Sequence, residues 1–552
     1  MVALVCAFVG WFLFQLFGSN PQIIVSKETT VITSPLGEDG LPDYQAYWRD
    51  LGREGITFEN NGAVLFWRAI WPGRLSHDDE LPMSDALGFE RVPDSTDTLQ
   101  DPQGKEVREI VGLWLTERYR AGLTDEASEV LLRTGNQGII LDQSEEVIGR
   151  ALDSPWTSEQ IPPLADWVKR NENAIDLLVK ASKRPKWWSP SPSLLGNRYE
   201  GAVAILLPGA QSLRDSAWAL CLRAMWHAGE NRRDEAWKNL LACCHLARLG
   251  SQGNTIVEQM VAFAIDGIAL QRTQVLLQHG EPDAKFSRQV LHDLTALEMP
   301  SDLVRAVDQG DRLMIADTIL RLAGGYEFDP GFGPEEAIGR IGILSNDWNV
   351  ALRDSGEWHD RMTEIVQLPS RSERLSGVEK YGSELDALNN WVSSRAARAG
   401  TVISRWKRSK VISAIIIVRL MPALDGVLNA QDRNQTLLDL TRTAAALAVY
   451  RAEQGEYPET LAELVPGIVA VLPVDLYSGK PFLYERKPDD GYLLYSVFEN
   501  GTDDGANGYY GEIMGGEWLA KENEEFDYEN SDMVIRVPMP KFALPTPPVL
   551  EE

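Results

Sequence analysis

The chain has 552 residues, enough for roughly two to four domains on the usual size prior. Its hydrophobic share of 44% and charged share of 24% are those of a globular protein and exclude wholesale disorder. The formal charge of −28 repels phosphate backbones, which argues against nucleic acid as a partner and favours cations, basic proteins and a well-solvated acidic surface.

The first residues bear on location. Val2 to Phe17 is almost uninterrupted apolar sequence, relieved by Gly10 and Gln15 and ended by Asn20-Pro21. A membrane-spanning helix needs about 20 such residues, so the run is slightly short, and it has no basic leader. A signal anchor continued upstream and a shortened signal peptide are both compatible with it; a buried soluble helix is the third reading. No small-x-small cleavage site follows Phe17, which favours an uncleaved anchor over residues 1–20. Such an anchor predicts a single pass through the inner membrane, with the bulk of the chain in the periplasm.

Residues 22–33 are rich in Val, Ile and Thr and predict an extended segment. Asp43 is placed to cap a short helix to about Leu51, and a second helix is predicted over 60–70. The acidic, Pro-bearing stretch 77–102 reads as loop, and helical periodicity resumes over 107–121. These elements form a mixed, helical N-terminal region, 21–130.

A helical body is predicted over 131–408. One helix is expected over 162–184, followed by a breaker-rich loop in which Trp187 and Trp188 look exposed, suited to gripping a ligand or to packing over a helix end. Residues 212–228 and 234–249 form a hairpin of tetratricopeptide type, but no neighbouring copies follow at that period. Further helices are predicted over 254–278, 301–322, 346–366 and 379–398. The glycine-rich break at 324–342 lacks the third glycine of a dinucleotide loop.

No catalytic constellation stands out. Cys221, Cys243 and Cys244 lack zinc-site spacing, and adjacent Cys243, Cys244 and His245 point about 100° apart on a helix. Glu357-Trp358-His359-Asp360 is the densest acid–base cluster, yet neighbours on a helix do not converge. H-E-x-x-H, G-x-S-x-G and phosphate-loop patterns are missing.

Residues 409–450 predict a long helix bent at Pro422, with Leu437, Leu440, Ala444 and Leu447 on one buried face, stopped by Gly455-Glu456-Tyr457-Pro458. Ala448-Val449-Tyr450-Arg451, Gly455-Glu456-Tyr457-Pro458, Leu472-Pro473-Val474-Asp475, Ser478-Gly479-Lys480-Pro481-Phe482 and Gly491-Tyr492-Leu493-Leu494-Tyr495 follow one another in the order of a known pattern. That series resembles the globular head of the major, G-type pseudopilins of type II secretion, over roughly residues 430–515. The resemblance implies a helix packed on a small antiparallel sheet over 409–537, followed by a Pro-rich tail, 538–552. It also implies calcium in the distal loop, with Asp503 and Asp504 as the main ligands and Asn500 and Asn507 as weaker ones; the loop by itself equally reads as a solvated acidic turn. The chain departs from the family in its internal long helix, which carries Arg419, and in its large preceding body. The layout of anchor, Glu59-Asn60-Asn61 motif, helical body and C-terminal module is similar to that of a group of bacterial envelope proteins.

The expected fold is therefore α+β: a mostly α-helical body with a small C-terminal helix-plus-antiparallel-sheet unit. The expected role is a membrane-anchored envelope protein that binds other envelope proteins or organises an assembly. The alternative is an envelope hydrolase with its site in the helical body.

Overall fold

The computed structural model describes residues 2–71, 77–88, 98–120, 137–195, 201, 207–300, 303–325, 344–421, 424–488, 491–507 and 531–545. The chain is mostly helical, with one small antiparallel sheet near its C-terminus, so it belongs to the α+β class.

Helix α1 (Val2–Phe17) leaves Leu4, Phe8, Phe14 and Phe17 exposed. The extended segment expected at 22–33 does not form a strand; Thr30 N–H folds back to the Ser26 carbonyl. The Asn349 side chain takes the place of a partner strand, accepting from Ile24 N–H at 2.8 Å and donating to the Gln22 carbonyl at 2.9 Å. Asp43 caps α2 (Tyr44–Asp50), and Asn61 caps α3 (Gly62–Ile70), each carboxylate or amide oxygen accepting a free first-turn N–H.

Part of the expected loop at 77–102 is helical, as α4 (His77–Leu87), because Met83 and Leu87 bury there. Helices α5 (Lys105–Arg120) and α6 (Gln137–Asp153) follow. The single helix expected at 162–184 is two, α7 (Pro162–Arg170) and α8 (Glu172–Ala181). Asn171 breaks it: its amide donates to the Trp167 carbonyl while its Oδ1 accepts from Gln100 N–H, a bond that a continuous helix would not leave it free to make.

The predicted hairpin is present as α9 (Leu207–Gly229) and α10 (Arg233–Gly250), turned at Asn231 with φ of 59°. A reciprocal Thr255–Glu258 cap opens α11 (Ile256–Leu276), and Asp283 caps α12 (Ala284–Ala296). The helix expected over 301–322 contains a π-helix, Ala306–Asp311, before α13 (Arg312–Ala323). Helices α14 (Trp348–Val366), α15 (Arg371–Val392), α16 (Arg395–Ile403), α17 (Arg405–Leu420) and α18 (Leu424–Gln454) complete the helical part. Gly455, at φ of 86°, ends α18 as expected. The bend at Pro422 and most of the stretches 324–342 and 517–532 lie outside the described residues.

Strands β1 (Leu483–Lys487), β2 (Gly491–Ser496) and β3 (Met533–Val537) pair antiparallel in that order, with Leu494 opposite Tyr484 on one side and Ile535 on the other. Tyr492, Leu494, Ile535 and Val537 are buried in the same apolar cluster as Leu440, Leu447 and Val449 of α18. That cluster also takes in α3 to α12. A second cluster gathers α2, the π-helix, α13, α14, α17 and the first turns of α18. The Pro-rich tail lies on the body over 538–545: Phe542 and Leu544 pack against the first cluster, and Arg150 donates to the Ala543 carbonyl.

Gly229 shows how close the packing is. A Cβ there would lie 2.0 Å from the Trp156 carbonyl oxygen. Gly229→Ala is therefore expected to cost about 2 kcal/mol in chemical denaturation, whereas Gly10→Ala, with open space around it, changes nothing measurable.

Candidate functional site

Three places bring chemistry-bearing side chains together. The first lies under the Trp187-Trp188 loop. Asn61 holds that loop on both sides, donating to the Trp188 carbonyl at 2.8 Å and accepting from Trp188 N–H at 3.0 Å. Both tryptophans are consequently buried, and they wall a cavity with Trp48, Phe66, Trp67 and Glu258. At about 90 Å³ it holds a few waters, well below a ligand-sized pocket.

Behind this cavity the π-helix runs against the turn before α11. A Cβ on Gly310 would sit 1.7 Å from the Asn254 carbonyl oxygen, so the close approach requires glycine. The next residue, Asp311, is buried, and its Oδ2 has no hydrogen-bond partner among the described residues. Burial pushes its carboxyl up to about 8, with the Glu258 charge adding to the effect and the Ile256 N–H opposing it. Glu258 is itself raised by desolvation, against the hydrogen bonds from Thr255 that form the cap.

The second place is a polar cleft of about 540 Å³ between α8, α10 and α12. Trp237 and Phe286 form its walls, and His245, Asp293, Lys183 and Lys238 line it. Burial and the Arg248 charge hold His245 below its ordinary value. Asp293 is raised by burial but lowered further by hydrogen bonds from Gln289 and Trp237, so it stays ionised. The cleft can bind polar or zwitterionic groups. Cys243 and Cys244 do not reach it as nucleophiles: both are fully buried, and burial pushes the Cys244 thiol up.

The Glu357–Asp360 cluster does not converge. His359 points inward, bonded through Nδ1 to the Ser355 carbonyl at 2.8 Å and pushed down to about 4 by burial. Asp360 turns outward to Arg312, and Trp358 packs edge-on against Tyr381.

The third place is the C-terminal loop. Asn500 donates to Asp504 Oδ2 at 2.8 Å, so those two predicted residues meet. Asp503 is exposed and accepts from Tyr495 OH and Gly505 N–H. Asn507 joins through its backbone, donating to the Asp504 carbonyl and accepting from Asp532 N–H. Asp532 is a neighbour that residue-by-residue reading missed. It is buried, accepts from Asp504 N–H at 3.4 Å, and keeps its Oδ2 without a hydrogen-bond partner among the described residues. Burial pushes its carboxyl up to about 6, with the Asp504 and Asp503 charges adding to it. Its sequence signal was slight: an acid directly before a short apolar strand. Among the described residues, no three His, Cys, Asp or Glu side chains converge as a metal-holding group.

No protein-family model, curated protein or solved structure matches the chain. Fold and sites together define a mostly helical α+β protein with an exposed apolar N-terminal helix.

Asp311 yields a test of pH dependence. In the fold it keeps its proton up to about 8, whereas an unfolded chain releases it near ~4. The fold binds the extra proton between those values, so its contribution to stability is lost as pH rises through them. The stability difference between Asp311→Asn and wild type should grow from near zero at pH ~4 to roughly 5 kcal/mol in favour of the variant at pH ~9, read by chemical denaturation at each pH.

Proposed function

We propose that the chain is a non-enzymatic, membrane-tethered envelope protein whose helical body and C-terminal head bind other envelope proteins or organise an assembly. One observation carries this reading. Helix α1 exposes Leu4, Val5, Phe8, Leu13, Phe14 and Phe17, while its last turn is hydrogen-bonded to the body through Arg405 and Arg408. A helix apolar around its circumference is stable in lipid and costly in water. The stretch Arg405–Gln454 is also long and apolar enough to cross a membrane, but 69% of its most apolar part is buried within the fold, as in a core helix.

The packing of α18 on a three-stranded antiparallel sheet supports the likeness to a G-type pseudopilin head. In this chain, however, α18 also packs on α11 and α12, so its length is not free to line a filament. The reading therefore favours a head used for recognition within the envelope over one assembled into a pseudopilus.

A calcium ion in the distal loop belongs to the same proposal. Asp504, Asp503, Asn500 and the unpartnered oxygen of Asp532 would supply oxygen ligands, with backbone carbonyls near Asn507 completing the set. An ion there would offset the burial, and the smaller repulsion from Asp504 and Asp503, that raise Asp532. The alternative, an envelope hydrolase, has the cleft lined by His245 and Asp293 in its favour; it lacks an activated nucleophile among the lining residues.

Two measurements check these statements. Proteinase K added to spheroplasts should digest the body while α1 stays with the membrane pellet after alkaline extraction; a protected body, or release of the whole chain at alkaline pH, removes the proposal. Calorimetric titration of the full chain with calcium should give binding heat that Asp503→Ala with Asp504→Ala abolishes and Asp532→Asn weakens. Heat that is absent, or indifferent to those changes, rules the ion out.

A further inference from the structure

From Ala387 to Leu424 the sequence has no Asp or Glu but carries Arg395, Arg398, Arg405, Lys407, Arg408, Lys410 and Arg419, in a chain of net charge −28. This basic island folds next to the apolar N-terminal helix. Arg405 N–H donates to Gln15 Oε1 at 3.0 Å, its guanidinium to the Phe14 carbonyl at 3.2 Å, and the same group sits 4.9 Å over the Phe14 ring. Arg408 reaches the Gln15 carbonyl from within the fold. The junction of α16 and α17 therefore meets α1 within its last turn.

Two further features share this place. Trp391, Val402, Ile403 and Trp406 are large apolar side chains left 42%, 53%, 51% and 59% exposed. A cleft of about 520 Å³ lies between Trp391, Gly400, Trp406 and Ile417, with Lys407 and Lys410 also on its lining. Lys410 is neutralised by Asp354 at 2.7 Å, and Glu357 also lines the cleft. Exposed Arg395 and Lys407 make no ion pair among the described residues, and Arg405 and Arg408 bond only to carbonyls and an amide oxygen.

We propose that the α16–α17 junction is a lipid-binding collar: Val402, Ile403 and Trp406 enter the headgroup–acyl boundary around the anchor, and Arg395, Arg405 and Lys407 sit on anionic phospholipid headgroups. The inference rests on the anchor reading given above. If α1 enters a bilayer, whatever touches Phe14 and Gln15 lies within one helical turn, ~5 Å, of the anchor's last residues and hence at headgroup depth. Tryptophan prefers that depth, and surface cations are drawn to an anionic leaflet. The acidic remainder of the surface is repelled by the same leaflet, so the collar also orients the body away from the membrane.

Spin-label depth measurements test this on the full chain, reconstituted in vesicles of phosphatidylcholine with phosphatidylglycerol or of phosphatidylcholine alone. Native Cys6, exposed on α1, reports the anchor; Ile403→Cys in a Cys6→Ser background reports the collar; Glu459→Cys in the same background reports an exposed surface of the head. Cys221, Cys243 and Cys244 are buried and stay unlabelled. The label at 403 should be severalfold less accessible to a water-soluble nickel chelate than the one at 459, and more accessible to oxygen. The difference should be larger with phosphatidylglycerol, and Arg395→Glu with Lys407→Glu should reduce it to the phosphatidylcholine value. Water-like accessibility at 403 with lipid-like accessibility at Cys6 overturns the collar alone. Water-like accessibility at both sites overturns the anchor and the collar together. Spin–spin broadening between labels at 403 marks a second copy on this face and overturns the lipid assignment. A depth indifferent to lipid charge and to both glutamates overturns the anionic part.

Discussion

The packing of α11 against α18 is the constraint around which the remaining elements are arranged. The two helices contribute to both apolar clusters and lie side by side between them. Small side chains allow the approach, with Ala444, Ala445, Ala446 and Ala448 buried on α18 and Ala269 on α11. Polar bonds fix their relative position: Gln274 donates to Thr441 Oγ1 at 2.8 Å, and Asn434 donates to the Phe263 carbonyl at 3.2 Å. In an interior of low dielectric such bonds are costly to misalign, so they select one register where apolar packing alone tolerates several. The sheet then covers one face of α18, while α12 and the helical hairpin close the first cluster.

Arg408 is the corresponding constraint at the N-terminal end. Its side chain is fully buried and meets no carboxylate among the described residues; it donates instead to the carbonyls of Ser345, Thr401 and Gln15. Burial holds its guanidinium below the ordinary value, with the Arg405 charge adding to the effect. A buried cation is tolerable when its donors are satisfied, and here the acceptors come from three separated stretches of chain. One side chain thus joins the exit of α1, the segment before α14 and the α16–α17 pair.

Charge is distributed to the same effect. Surface ion pairs such as Arg486 with Glu456 and Glu459 in the head are exposed and add little stability. Arg405 and Arg408 beside α1 differ in meeting carbonyl and amide oxygens rather than carboxylates among the described residues, while the chain as a whole carries an excess of acids. A protein of this net charge is kept from an anionic surface everywhere except at one basic face.

Local chemistry was legible in the sequence wherever it acts over a few residues. The cap at Asp43, the hairpin turn, the stop at Gly455 and the period of α18 were readable from residue types alone, whereas the caps at Asn61, Thr255 and Ser370, which act over equally short range, emerged from the structure. The apolar N-terminal run and the helix-then-strand order of the last hundred residues were likewise plain. The loop residues Asn500, Asp503 and Asp504 were singled out by the family resemblance, helped by their closeness in the chain.

Long-range partners were not legible. Asn349 replaces a strand partner for residues 22–24 across more than 300 positions, Asn61 buries Trp187 and Trp188, and Asn171 breaks a helix to meet Gln100. Asp532 joins the acidic loop only because β3 pairs with β2, and the basic island meets α1 because Arg405 and Arg408 reach Phe14 and Gln15. The sequence by itself determined most of the helical segments and which run is apolar throughout, since those depend on short-range sterics and hydrogen bonding; the helix at His77–Leu87 and the break at Asn171 were set by burial and by a distant partner. Tertiary structure alone decided which polar groups are buried together and which cations stand beside α1, because desolvation and charge proximity are set by distance in space.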